Sequence, residues 1–143
     1  MSAGGAYVDA SAVVKLFMPE AESSPLAAAL AGHELWVASE LVTVEVACAA
    51  RRAGGEDLVA TAASVLARIE LIPCTGAIRE RAAASFSVPL RALDAIHAAS
   101  ALLVRDEIAL AMVCDADLGA ALEAEGLTVT APAAGVGSRS AAT

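Results

Sequence analysis

Aromatic residues are scarce: one Trp, one Tyr and two Phe in 143 residues. A core made from this chain must come from Ala, Leu and Val packed tightly between helices and a small sheet, and Ala accounts for much of the 58% hydrophobic fraction. Lysine occurs once, at Lys15; the remaining basic residues are Arg. Nine basic residues stand against 17 acidic ones, a net charge of −8, which argues against a generic nucleic-acid binder working through a basic field. It leaves room for an enzyme that meets nucleic acid through bound divalent cations. The three cysteines, Cys48, Cys74 and Cys114, have neither metal-ligand nor redox-motif spacing, so they read as small buried residues of a reducing compartment. His33 and His97 are far apart, against a structural zinc site. No apolar run reaches the roughly 18 to 20 residues of a membrane-spanning helix. The first residues lack the basic start and long apolar stretch of a secretory signal. The expectation is a soluble cytoplasmic protein with no membrane association.

What is present alternates. Tyr7–Asp9 reads as a first buried strand, followed by a helix from Ser11, taken as its cap, to Phe17 and broken by Pro19. Ser24 and Pro25 open a second helix to about Leu30. Strands are expected at Leu35–Ala38, Leu71–Pro73, Ala109–Val113 and Leu127–Val129. Helices are expected from Ser39 to about Ala53, stopped by Gly54 and Gly55, then over Glu56–Arg68, Ala77–Phe86, Arg91–Val104 and Asp115–Glu125. Strands alternating with helices predict an α/β/α sandwich on a mainly parallel sheet of about five strands. One domain over residues 1–131 is expected, with a Gly/Ser/Ala-rich tail over 132–143 that reads as disordered.

Most of the acids lie at helix ends, loops or polar faces. Four do not: Asp9 between Val8 and Ala10, Glu45 within Leu41–Cys48, Asp94 within Leu93–Ala99, and Asp115 after Ala111–Cys114. Asp is common at strand-to-helix turns, and Asp9 alone could be only that. A carboxylate inside apolar sequence is costly unless cations or hydrogen bonds compensate it, and four of them call for one explanation. Two sit at strand ends and two in helices able to flank those ends. In a parallel sheet the carboxyl ends of the strands share one edge, where open α/β sheets place their ligands. Clustered carboxylates need positive charge to stay ionised, and hard cations such as Mg²⁺ or Mn²⁺ prefer such oxygens. Carboxylate-held metals activate water in phosphodiester hydrolysis. The alternative is a set of buried acids satisfied by Arg and Ser.

Four stretches, Val8–Leu16, Ser39–Val46, Leu90–Ala101 and Val113–Leu118 with Gly126-Leu127 behind it, resemble in order the four motifs of PIN domains. Length and motif wording are similar to VapC-type toxins of toxin–antitoxin pairs. The resemblance covers about residues 5 to 131. It implies a Mg²⁺- or Mn²⁺-dependent endoribonuclease, an RNA substrate, a cognate antitoxin partner and commonly a homodimer. It places Asp9, Glu45, Asp94 and Asp115 around the metal, with Ser11, Lys15 and Asp117 as supporting groups. Val113 stands where members often carry Thr or Ser, and Cys114 where an aromatic is frequent, so a supporting hydroxyl is missing while every metal ligand is kept. His97, three residues beyond Asp94, reads as a general base or as a packed helix histidine, and the second is preferred because metal-activated water needs no histidine base. Arg91 could contact Asp94 or an RNA phosphate. The face of Leu58, Val59, Ala62, Val65 and Leu66 is taken as core rather than an antitoxin groove. The competing readings are an inactive PIN-fold binding module and a receiver-like phosphoacceptor. The latter would want a Lys after the fifth strand, and none occurs beyond Lys15.

Overall fold

The computed structural model describes residues 4–18, 27–28 and 30–131. In chain order the elements are β1 (Gly5–Val8), α1 (Ala10–Phe17), β2 (Trp36–Ser39), α2 (Leu41–Leu66), β3 (Glu70–Ile72), α3 (Gly76–Ala83), α4 (Ala92–Leu103), β4 (Ile108–Met112), α5 (Ala116–Ala124) and β5 (Val129–Thr130). The five strands form one sheet in the order β3-β2-β1-β4-β5, and every pairing is parallel. β1 is central, with Tyr7 opposite Val37 of β2 and Ala111 of β4.

The period-two alternation of β1 builds both layers of core. Ala6 and Val8 face one side, packed with Ala12 and Val13 of α1 and Val42, Val46 and Ala50 of α2. Tyr7 faces the other, packed with Ala98 and Ala101 of α4 and Leu118 and Leu122 of α5. Many of these side chains are Ala or Val, so helices approach the sheet closely, and large side chains such as Tyr7 and Met112 fill what remains.

The chain runs outward from β1 through β2 to β3 and returns to place β4 on the other side of β1. The order therefore reverses between β1 and β4. Beyond the carboxyl ends of two such strands the following segments diverge and leave a crevice, the ligand position of open α/β sheets.

Several boundaries move from their expected places. Ser11 does not cap α1: the helix begins at Ala10 and its cap is Asp9, because a carboxylate two residues earlier reaches the same orphan N–H groups. The expected break at Gly54-Gly55 is present: Gly55 has φ 70° and ψ −160°, so two helical runs, to Gly54 and from Glu56 to Leu66, meet there at a kink with no intervening loop, in a conformation that favours glycine and strains other residues. Ser39 belongs to β2, and its hydroxyl accepts from the Leu41 N–H at 3.2 Å. α3 ends at Ala83, short of Phe86, and β5 starts at Val129 rather than Leu127. The helix expected from Ser24 and the tail beyond Pro132 lie largely or wholly outside the described residues; Leu30 at the end of that helix is buried in the first core layer.

Candidate active site

Asp9 follows β1. Its backbone is extended (φ −89°, ψ 175°), and Oδ1 accepts the N–H of Ala12 at 3.0 Å. The Ser11 hydroxyl donates to the same carboxylate, 2.8 Å from Oδ1 and 2.9 Å from Oδ2. Ser11 Oγ in turn accepts the N–H of Cys114 at 3.3 Å, which ties the start of α1 to the segment leaving β4. Ser11 thus supports Asp9 from inside the helix. The carboxylate is only 4% exposed. Burial pushes its pKa up to about 6, against the hydrogen bonds from Ala12 and Ser11 and the pull of His97, with a further upward push from Asp115.

Asp115, two residues beyond Val113, repeats the arrangement on the neighbouring strand. It caps α5, with Oδ1 accepting the Leu118 N–H at 2.8 Å, but it is exposed. Asp94 lies in the first turn of α4 and is half-buried. Its pKa is raised, first by burial and then by the fields of Asp115 and Glu45, while His97 and Arg91 pull the other way. Glu45, one turn into α2, has a side chain 23% exposed, and its Oε1 lies 2.7 Å from Nε2 of His97. The four acids singled out from sequence therefore come from four elements; the field of Asp115 reaches Asp9, and the fields of Asp115 and Glu45 reach Asp94.

An open cleft of about 470 Å³ is lined by Pro89, Leu90, Arg91, Asp94, Asp115 and Asp117. Asp117, in the first turn of α5, is on its wall. Lys15 is in the last turn of α1, at the end of that helix away from Asp9. Arg91 contributes the cationic wall and lowers the Asp94 pKa.

The donor set is carboxylate oxygen, which suits Mg²⁺ or Mn²⁺ better than a thiolate- or imidazole-seeking ion. Among the described residues, no three His, Cys, Asp or Glu side chains are drawn close enough to ligate one ion as they stand. Magnesium ordinarily keeps several waters and takes one or two carboxylates directly, so the wider ring of acids fits such an ion held partly through water. Burial first, then neighbouring carboxylates, raises the pKa values of Asp9 and Asp94, an environment in which a bound cation would favour their ionised forms.

His97 is packed inside the molecule, 2% exposed, in agreement with the preferred reading of a packed helix histidine. Besides its contact with Glu45, its Nδ1 lies 2.6 Å from the hydroxyl of Tyr7, itself fully buried. The spacing to Asp94 put His97 near the site, but its partners are 52 and 90 residues away in sequence, which no local pattern reveals.

The PIN domain profile matches residues 6–121, and the chain belongs to the PIN-domain family. Within it, the chain stands with the VapC proteins. It is 41% identical over 130 residues to Ribonuclease VapC35 of Mycobacterium tuberculosis, in both strain CDC 1551 / Oshkosh and strain ATCC 25618 / H37Rv, covering 88% of this chain and 96% of the relative. The fold is also that of the crystal structure of Mycobacterium tuberculosis VapC20, described as a sarcin-ricin loop cleaving toxin. That match has a TM-score of 0.68 and 19% identity, and covers 86% of this chain and 96% of the other. No described helix is long and apolar enough to cross a membrane.

Proposed function

We propose that this protein is a Mg²⁺- or Mn²⁺-dependent endoribonuclease and the toxin of a toxin–antitoxin pair, hydrolysing RNA phosphodiester bonds in the cytoplasm. What supports the reading is that Asp115 lies within electrostatic reach of both Asp9 and Asp94, and Glu45 of Asp94, in a chain 41% identical to a ribonuclease over most of its length. These four carboxylates would hold the cation. When bound, such a cation supplies Lewis-acid polarisation of the phosphodiester and lowers the pKa of attacking water.

The chain's own groups have separate tasks. Ser11 and the Ala12 N–H fix the Asp9 carboxylate. The Leu118 N–H holds Oδ1 of Asp115. Asp117 adds negative charge on the cleft wall, and Arg91 supplies a cation there for an RNA phosphate. Lys15, at the far end of α1, contributes at most through its long-range field. The cation also reconciles a net charge of −8 with an anionic substrate. The proposal includes an antitoxin chain as partner and a homodimer as the working form.

The test is cleavage of a mixed single-stranded RNA by purified protein in Mn²⁺ and in Mg²⁺, with EDTA and Asp9→Asn controls. Cleavage that requires both the metal and Asp9 supports the reading. Cleavage that persists in EDTA or in Asp9→Asn overturns it. Neither cleavage nor calorimetric Mn²⁺ binding would favour an inactive binding module on the same fold.

A further inference from the structure

The part-buried contact between His97 and Glu45 ends a run of polar links that the proposed chemistry does not use. His97 Nε2 and Glu45 Oε1 are 2.7 Å apart, and His97 Nδ1 and Tyr7 Oη are 2.6 Å apart. Tyr7 Oη also accepts the N–H of Ser39 at 3.1 Å. Donor accounting orders the protons along this chain. An ionised carboxylate only accepts, so Nε2 must carry a hydrogen. In a neutral imidazole Nδ1 is then an acceptor, and the Tyr7 hydroxyl, already accepting from Ser39, turns its hydrogen toward it. Ser39 N–H, Tyr7 O–H and His97 Nε2–H thus point in one direction and end on Glu45.

The anchors are rigid. Ser39 ends β2, Tyr7 lies in the central strand, and the Tyr7 and His97 rings meet edge-on with centroids 6.0 Å apart. Glu45 is different: its side chain is 23% exposed and leaves the buried layer that holds His97. A glutamate side chain there has three torsions to fix, and each free torsion weakens any ligand it makes. His97 is too buried to reach the cleft itself.

We propose that His97, oriented by Tyr7, is a positioning residue that locks the Glu45 carboxylate toward the other three acids and so sets the affinity of the cation site. This rests on the metal-site reading above. It differs from a packed helix histidine in one respect: the effect of His97 must pass through Glu45. Partners that orient a ligating side chain typically change metal affinity by about ten- to hundredfold.

Two measurements test it. Long-range ¹H–¹⁵N spectra of histidine-labelled, metal-free protein at neutral pH should show a proton on Nε2 of His97; an Nδ1–H tautomer overturns the lock whether or not the protein binds metal. Calorimetric Mn²⁺ titration of the full chain supplies the second. His97→Phe should weaken binding by about ten- to hundredfold, and His97→Gln, whose side-chain amide can still donate to Glu45, should recover most of the loss. Glu45→Gln should weaken binding to a similar degree, and the Glu45→Gln/His97→Phe double variant should be no weaker than Glu45→Gln alone. Losses that multiply, or a His97→Phe protein that binds like wild type, overturn the proposal. If His97→Phe does not fold, Tyr7→Phe with and without Glu45→Gln gives the same cycle. A wild-type protein that binds no Mn²⁺ would sink the metal-site reading, while the tautomer would still decide the lock.

Discussion

The β1–α1 and β4–α5 junctions are neighbours built to one pattern. In each, a strand runs out and an aspartate caps the next helix by accepting from the N–H three residues on, at 3.0 Å for Asp9 and 2.8 Å for Asp115. They differ in surroundings. Asp9 is 4% exposed and carries a second bond from Ser11; Asp115 is exposed and lines the cleft. The cap satisfies the helix in both places and fully accounts for an Asp at either. Burial separates them: it makes ionised Asp9 costly, and a protein keeps such a group where a cation or substrate will meet it. Local geometry therefore explains the residue type, and the electrostatic environment makes Asp9 the stronger candidate for a site.

Isosteric substitution breaks the pairing most sharply. Asp9→Asn keeps a cap oxygen but loses the charge, and cleavage should fall by more than the roughly hundredfold expected for losing an outer, orienting partner. A gel-based cleavage assay reads this; activity within a few fold of wild type would remove Asp9 from the site.

The same variant should gain stability when metal is absent. The folded-state pKa of Asp9 is raised from 3.8 to about 6. Ionising it is then harder in the folded chain than in the unfolded one, so the fold is penalised above pH 6 and relieved as pH falls through 6 toward 3.8. In EDTA at pH 7.5, Asp9→Asn should be more stable than wild type by up to about 3 kcal/mol, and the gap should close near pH 4. Urea melts at the two pH values check this, and a gap independent of pH contradicts it. Asp115→Asn, at an exposed position, should shift stability by no more than about 0.5 kcal/mol.

Gly55→Ala leaves both junctions intact and serves as their control. Its Cβ would meet no atom within 4 Å, but φ 70° with ψ −160° is strained for Ala, at a cost of about 1–3 kcal/mol. The melting temperature should drop while Mn²⁺ affinity stays unchanged.

The smallest effect isolates the cap. Asp115→Ala should be about 1 kcal/mol less stable than Asp115→Asn, since only the latter can still accept from Leu118. Equal stabilities would mean that the cap bond contributes nothing net.

Much of this was legible in the sequence because it is local. Alternating apolar strands and capped helices give the parallel sheet, and the acids in apolar surroundings give the four carboxylates. Boundaries slipped where two polar residues competed for one role, as with Asp9 and Ser11 at α1. The break at Gly54-Gly55, with a new helical run from Glu56, was legible because only glycine takes the positive φ found at Gly55 without strain. Two things were not legible. The strand order that sets β4 beside β1 depends on packing of the whole chain. The Tyr7–His97–Glu45 link joins β1, α4 and α2, and in sequence His97 is one of three polar residues, with Asp94 and Ser100, in an Ala-rich helix.

The central claim is that the four carboxylates form one cation site. Paramagnetic broadening of backbone amide signals by substoichiometric Mn²⁺ tests it directly. The account predicts losses confined to the neighbourhoods of Asp9, Glu45, Asp94 and Asp115, with Ala10, Ala12, Cys114 and Ala116 among the first, and no such losses in Asp9→Asn. Broadening centred on other acids, such as Glu56-Asp57 or Asp106-Glu107, or an unchanged pattern in Asp9→Asn, would contradict it.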